Sequence, residues 1–180
     1  QLTVHLDCTD EDQQSNKKLH GGPEKVLHQF SPLHYFTLRK HFPDGKFEPG
    51  SIGENISVDG MDDATVYIGD VWKFGEVVLQ VSAPRAPCSK ISQRFNIQNL
   101  DRFVGERGIT GWYYRVLETG VINVGDSVTL VSREDDTVNV QTLMRCAHTK
   151  TDVELATKLA NLAIIDDEWR DKCARISRKG

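Results

Sequence analysis

The chain has 180 residues, 38% hydrophobic and 27% charged, an ordinary balance for a globular protein and length enough for one sizeable core. No run approaches the roughly 20 consecutive apolar residues of a membrane-spanning helix, so no membrane partner is expected. A net charge of −4 argues against general nucleic-acid binding, which clustered positive charge would drive.

In chain order, residues 2–47 read as irregular around Gly21-Gly22-Pro23. Within them Val26, Leu27, Phe30, Leu33 and His34 recur at helical spacing, and Pro32 interrupts the pattern. A short turn followed by a helix ending before Pro43 is expected. From Ser51 to Arg133, short β-branched and aromatic runs alternate with glycine turns. Val66-Tyr67-Ile68 closes on Gly69-Asp70, Val71-Trp72-Lys73-Phe74 closes on Gly75, and Val77–Val81 follows. Val121–Val124, a Gly125-Asp126 turn and Val128–Val131 repeat the design, which predicts hairpins of an antiparallel barrel or sandwich. Asn96–Val104 reads as a short helix between the β blocks. After the charged stretch Arg133–Asp136, helical periodicity returns over Val138–Ala147, Asp152–Ala163 and Asp166–Ser177, with Thr151 or Asp152 capping the second helix and Asp166 the third. The expected organisation is a β-rich domain over 1–133 and a three-helix extension over 137–180.

Four cysteines, Cys8, Cys88, Cys146 and Cys173, are widely spaced and form no Cys-x-x-Cys pair, which predicts free thiols in a reducing, cytoplasmic setting. Cys146 and Cys173 fall on apolar helix faces, where packing explains them. Cys88 differs. It follows Pro84-Arg85-Ala86-Pro87 at the exit of a strand, where two prolines stiffen the loop, and Arg85 and Lys90 flank it. Flanking cations favour thiolate, the form that attacks electrophiles and binds metals. On the local sequence alone, a buried and inert cysteine beside a turn carries equal weight. Lys17-Lys18-Leu19-His20-Gly21-Gly22-Pro23 offers paired glycines and cationic side chains to an anion, although a solvated turn explains it more simply. Asn55 in Gly53-Glu54-Asn55 lines a pocket or a turn, and Arg107 and Arg115 are candidate anion ligands beside a core aromatic run. His5, His28, His34, His41 and His148 show no metal-ligand spacing.

Taken in order, Lys18-Leu19-His20-Gly21-Gly22-Pro23, Gly53-Glu54-Asn55, Tyr67-Ile68-Gly69-Asp70, Pro84-Arg85-x-Pro87-Cys88, the Arg107–Val116 segment and Gly125-Asp126 resemble the MOSC domain. That domain takes its name from the C-terminal domain of molybdenum cofactor sulfurases. The resemblance covers nearly the whole chain and is strongest to a YiiM-like branch with a three-helix C-terminal extension. It departs at Cys8–Gln14, where relatives carry a Gly-Asp-containing stretch, and it implies further strands ahead of Gln1.

What the resemblance implies is a mainly β fold, a MOSC-type β-barrel with a few helices and the terminal three-helix extension. It implies molybdenum cofactor (molybdopterin) as the cofactor, with Cys88 as the catalytic residue and metal ligand. Lys18, His20, Gly21, Gly22, Asn55, Arg85 and Arg115 would surround the phosphate-bearing pterin. The implied activity is reduction of N-hydroxylated bases such as hydroxylaminopurine and of related small molecules. No flavin, haem or iron–sulfur motif is visible, so an electron-donor protein is the expected partner. Two alternatives use the same cysteine: a non-catalytic cofactor carrier, and a persulfide carrier. Oligomeric state is left open.

Overall fold

The computed structural model describes residues 1–10, 22–134, 136 and 138–179. The chain runs through β1 (Leu2–Val4), β2 (Leu27–Gln29), α1 (Pro32–His41), β3 (Val71–Phe74), β4 (Val77–Pro84), α2 (Ser89–Phe95) and α3 (Leu100–Arg107). It continues through β5 (Trp112–Glu118), β6 (Gly120–Ile122), β7 (Val128–Ser132), α4 (Val140–Thr149), α5 (Val153–Ala160) and α6 (Asp167–Ser177). Five strands form one antiparallel sheet in the order β2-β5-β4-β3-β7, and β1 pairs with β6 in a separate ribbon.

Among the described residues this sheet does not close, because β2 and β7 are its two edges. The described residues therefore form a mixed α/β fold, with an open sheet and six helices, rather than the mainly β barrel expected. Two local readings account for the difference. Val66-Tyr67-Ile68 is not a strand: Asp62 accepts from the Ala64 and Thr65 amides, Asp70 accepts from the Tyr67 amide, and these side-chain caps divert the backbone into turns. Nor do β6 and β7 form a hairpin. Asp126 closes a tight turn on the Asn123 amide at 2.7 Å, and Gly75 donates to Ser127 at 3.1 Å, which draws β7 onto β3.

The helices follow their punctuation. Proline stands at the start of α1, where its missing N–H is not needed, and the helix ends at His41, ahead of Pro43. The helix expected over Asn96–Val104 is displaced. Asn96 and Asn99 adopt left-handed φ of 52° and 60°, so α2 stops at Phe95 and α3 begins at Leu100. In the C-terminal trio, Asn139, Asp152 and Asp166 each accept the amide three residues on, at 2.7 to 2.8 Å.

Two apolar clusters hold the elements. In the larger one, Leu79, Val81, Trp112 and Tyr114 of the sheet pack with Val140, Leu143, Leu159, Trp169 and Cys173 of α4–α6, so sheet and terminal helices share one core. The smaller cluster joins Phe30, Tyr35, Leu38, Ile52, Leu100 and Val104 beneath α2 and α3.

One buried carboxylate ties these parts together. Asp63 is wholly buried; its Oδ1 accepts from the backbone amides of Thr110 (3.1 Å) and Gly111 (2.9 Å), and its Oδ2 meets His34 Nε2 on α1. Its own carbonyl accepts from the Gln141 amide at the start of α4. Removing such a group strands two backbone donors and a histidine without partners. Asp63→Ala is expected to cost ~3–5 kcal/mol of stability, because each buried polar group left without its partner costs ~1–3 kcal/mol, and Asp63→Asn distinctly less because it keeps an acceptor. Urea denaturation of both variants measures this, and a loss below ~1 kcal/mol for the alanine form would remove Asp63 from its organising role.

Candidate active site

Strand β4 ends at Pro84 opposite Trp112, and the next amide, that of Arg85, donates to Gly111 at 2.9 Å. This last backbone bond anchors the exit loop. Pro87 has no donor of its own, and Cys88 follows as the N-cap of α2, extended at φ −125° and ψ 144°, with its carbonyl accepting from Ile91 at 3.0 Å. The thiol side chain is exposed, which sets aside the buried, inert reading. Beside it lies a hollow of about 30 Å³ bounded by Cys88, Arg85 and Pro87, with Phe30, Ile52 and Val104 of the smaller cluster as its apolar wall. Arg85 is half-buried there and forms no ion pair among the described residues, so its charge is available to an anion.

Gly111 lets this corner close. Its φ of 73° favours glycine, and a Cβ would stand 2.2 Å from the Gln29 carbonyl oxygen of β2 and 2.8 Å from His28 Nε2. The corner therefore brings β2, β5 and the Cys88 loop within backbone contact.

Sequence reasoning passed over His28 and His34. His28 is buried on β2, its Nδ1 3.3 Å from the Gly53 carbonyl and its Nε2 3.4 Å from that of Thr110. A neutral imidazole carries one N–H, so it donates to one of these oxygens at a time. Val26–Phe30 shows no polar/apolar alternation, because every one of these residues is buried, so no strand signal set His28 apart from the helical spacing of its neighbours.

The other expected site residues divide. Asn55 Oδ1 accepts from the His28 amide (2.9 Å), and the Asn55 amide donates back to the His28 carbonyl (2.8 Å), so this exposed residue clasps β2 behind the site. Gly22 is exposed at φ 102°, accepts from the Lys25 amide in a turn, and does not line the Cys88 hollow. Arg115 lies 3.1 Å from Glu24 and lines a different cavity, with Asp166 and Glu168. Lys18, His20 and Gly21 lie outside the described residues.

Burial, and after it the Arg85 charge, pushes the His28 pKa from 6.5 down to about 3. The unfolded chain therefore binds a proton below pH 6.5 that the folded chain refuses. This contribution to stability is complete above pH 6.5 and is lost as pH falls toward about 3. The slope reaches up to ~1.4 kcal/mol per pH unit. His28→Gln is expected to flatten the loss of stability between pH 6.5 and 4, read from urea midpoints, and an unchanged slope would deny that His28 stays neutral.

The MOSC domain family model matches residues 16–129. Protein YiiM of Escherichia coli (strain K12) is 35% identical over 161 residues, covering 88% of this chain and 71% of that protein. The uncharacterized protein YflK of Bacillus subtilis (strain 168) is 32% identical over 160 residues, with 88% and 72% covered. A protein of Gibberella moniliformis (strain M3125 / FGSC 7600) named "Reductase" is 39% identical over 132 residues, covering 70% of this chain but 24% of that much longer one. The crystal structure of YiiM from Escherichia coli superposes with a TM-score of 0.82 at 28% identity, covering 99% of this chain and 85% of that one. YiiM from Geobacillus stearothermophilus superposes at 0.78 with 25% identity, over 87% and 80%. A matched family model over more than half its length, and relatives above 30% identity along most of both chains, place this chain in the MOSC domain family.

Proposed function

We propose that the protein is a molybdenum-cofactor-dependent reductase of N-hydroxylated bases and related N-hydroxylated compounds, with the Cys88 thiolate as a ligand of the metal. The observation that carries this reading is an exposed cysteine on a loop pinned to Gly111, beside an arginine that no carboxylate neutralises among the described residues.

The donor set fits the cofactor. Among the described residues no group of three His, Cys, Asp or Glu side chains is placed to hold a metal ion. Cys88 therefore suits a metal that brings further ligands of its own, and molybdenum already bound through the sulfur atoms of its pterin meets that requirement. Arg85 would hold an anionic part of the cofactor through charge-assisted hydrogen bonds. The family resemblance adds Lys18, His20, Gly21 and Gly22 for the pterin phosphate. Asn55 enters through its clasp on His28, and Arg115, engaged with Glu24 on another cavity, is not included.

The reaction takes R–NHOH, two electrons and two protons to R–NH₂ and water. The bound cofactor supplies the two-electron step at oxygen. The chain's own residues ligate, orient and keep the site in register, and His28, neutral at physiological pH, steadies the loop instead of donating a proton. Electrons come from a separate donor protein. The relative named "Reductase" supports the reaction class, although the matched region is a fraction of it.

Molybdenum content of the wild type and of Cys88→Ala, both from a host that makes the cofactor, is the decisive comparison. Near-stoichiometric metal is expected in the wild type and its loss in the variant, together with loss of hydroxylaminopurine reduction. Metal retained by the variant would refute the ligand assignment. Metal absent from both, with a persulfide mass increment on Cys88, would make the protein a sulfur carrier.

A further inference from the structure

Between the C-terminal half of α4 and one face of α6 lies a cavity of about 840 Å³, the scale of small-molecule sites. One wall is Ala86-Pro87, the two residues that also border the Cys88 hollow, so the two spaces meet at the loop that carries the thiol. The lining is cationic: Lys150, Lys172, Arg175 and Lys179 line the cavity together with the imidazole of His148, and among the described residues no aspartate or glutamate does. In a chain of net charge −4 that is a marked local excess. Of the four Lys and Arg side chains, Lys172 is paired, to Glu168 at 2.7 Å, and the other three form no ion pair among the described residues.

Helix ends account for only part of this. Basic residues in a last turn offset the negative end of the helix dipole, which covers His148 of α4 and Arg175 of α6. Lys150 caps the C-terminus of α4, while Lys179 stands past the cap of α6 and faces the same space. The remaining wall is apolar, with Met144, Val153, Trp169 and Ile176, which suits a sugar and base better than a bare inorganic ion.

We infer that this cavity holds a nucleotide by its phosphate, so that the substrates are nucleoside phosphates whose base is directed to the Ala86-Pro87 wall that the cavity shares with the Cys88 hollow. The nature of the reacting base rests on the reductase reading; the phosphate site does not. Neighbouring cations in a partly enclosed cavity attract a phosphate through short charge-assisted hydrogen bonds, and an uncharged nucleoside gains nothing from them.

The test is calorimetric titration of the full chain, from a cofactor-competent host, with AMP, adenosine and inorganic phosphate. AMP is expected to bind at least about tenfold more tightly than either of the others, and more weakly as salt is raised. Arg175→Glu and Lys150→Gly should each weaken AMP by about tenfold and leave adenosine unchanged. Lys150 already has a left-handed φ of 58°, which glycine adopts freely, so the second variant removes charge without disturbing the fold. Equal binding of AMP and adenosine, phosphate as strong as AMP, or variants without effect on AMP would overturn the nucleotide site. Cys88→Ala should keep AMP binding, so loss of molybdenum with AMP retained would defeat the reductase reading alone, and AMP lost in that variant would overturn the separation of the two sites.

Discussion

A carboxylate with no exposure to water is the constraint on which this architecture turns. Asp63 sits outside any strand or helix, yet it receives two backbone donors from the 110–111 corner, a histidine from α1 and, through its carbonyl, the first turn of α4. A buried charge is tolerated when its hydrogen-bonding capacity is used, and here each partner comes from a different part of the chain. Its effect at the site is indirect. By holding Thr110 and Gly111 it sets the carbonyl that receives the Arg85 amide, and so the starting point of the loop leading to Cys88.

The sequence revealed the terminal helices most clearly, because Asp152 and Asp166 are local caps and the apolar spacing between them is regular. Strands β3 and β4 were equally plain, as β-branched runs on either side of Gly75. Reading failed where side chains overrule propensity. Asp62 and Asp70 turn a β-branched run away from the sheet, and two left-handed asparagines split one expected helix into two. The closed barrel failed for another reason: sheet closure depends on which strands pair, and Gly125-Asp126 looks like a hairpin turn whether or not the strands beside it meet.

At the site, local chemistry was visible and assembly was not. The Pro-Arg-x-Pro-Cys segment announced a stiff, cationic cysteine loop, and the fold exposes that cysteine beside its arginine. Arg115 looked equally suited to an anion, but its place on β5 turns it toward Glu24 and a different cavity. His28 was invisible in its role because both carbonyls that flank it are distant in sequence. The terminal helices are joined to the sheet by a common core, so the cationic cavity between α4 and α6 has a fixed relation to the cysteine loop.

The division into two apolar clusters also bears on motion. The hollow beside Cys88 rests on the smaller cluster, while the sheet and terminal helices rest on the larger. Cooperative units of unequal size open at unequal free energies, and the smaller opens first. Sub-global opening would then loosen α2 and α3 around the already exposed thiol while amides of β4 and β5 remain protected from hydrogen exchange. A domain built this way can widen the small hollow beside Cys88 through a local excursion, without unfolding the sheet that defines the site's position.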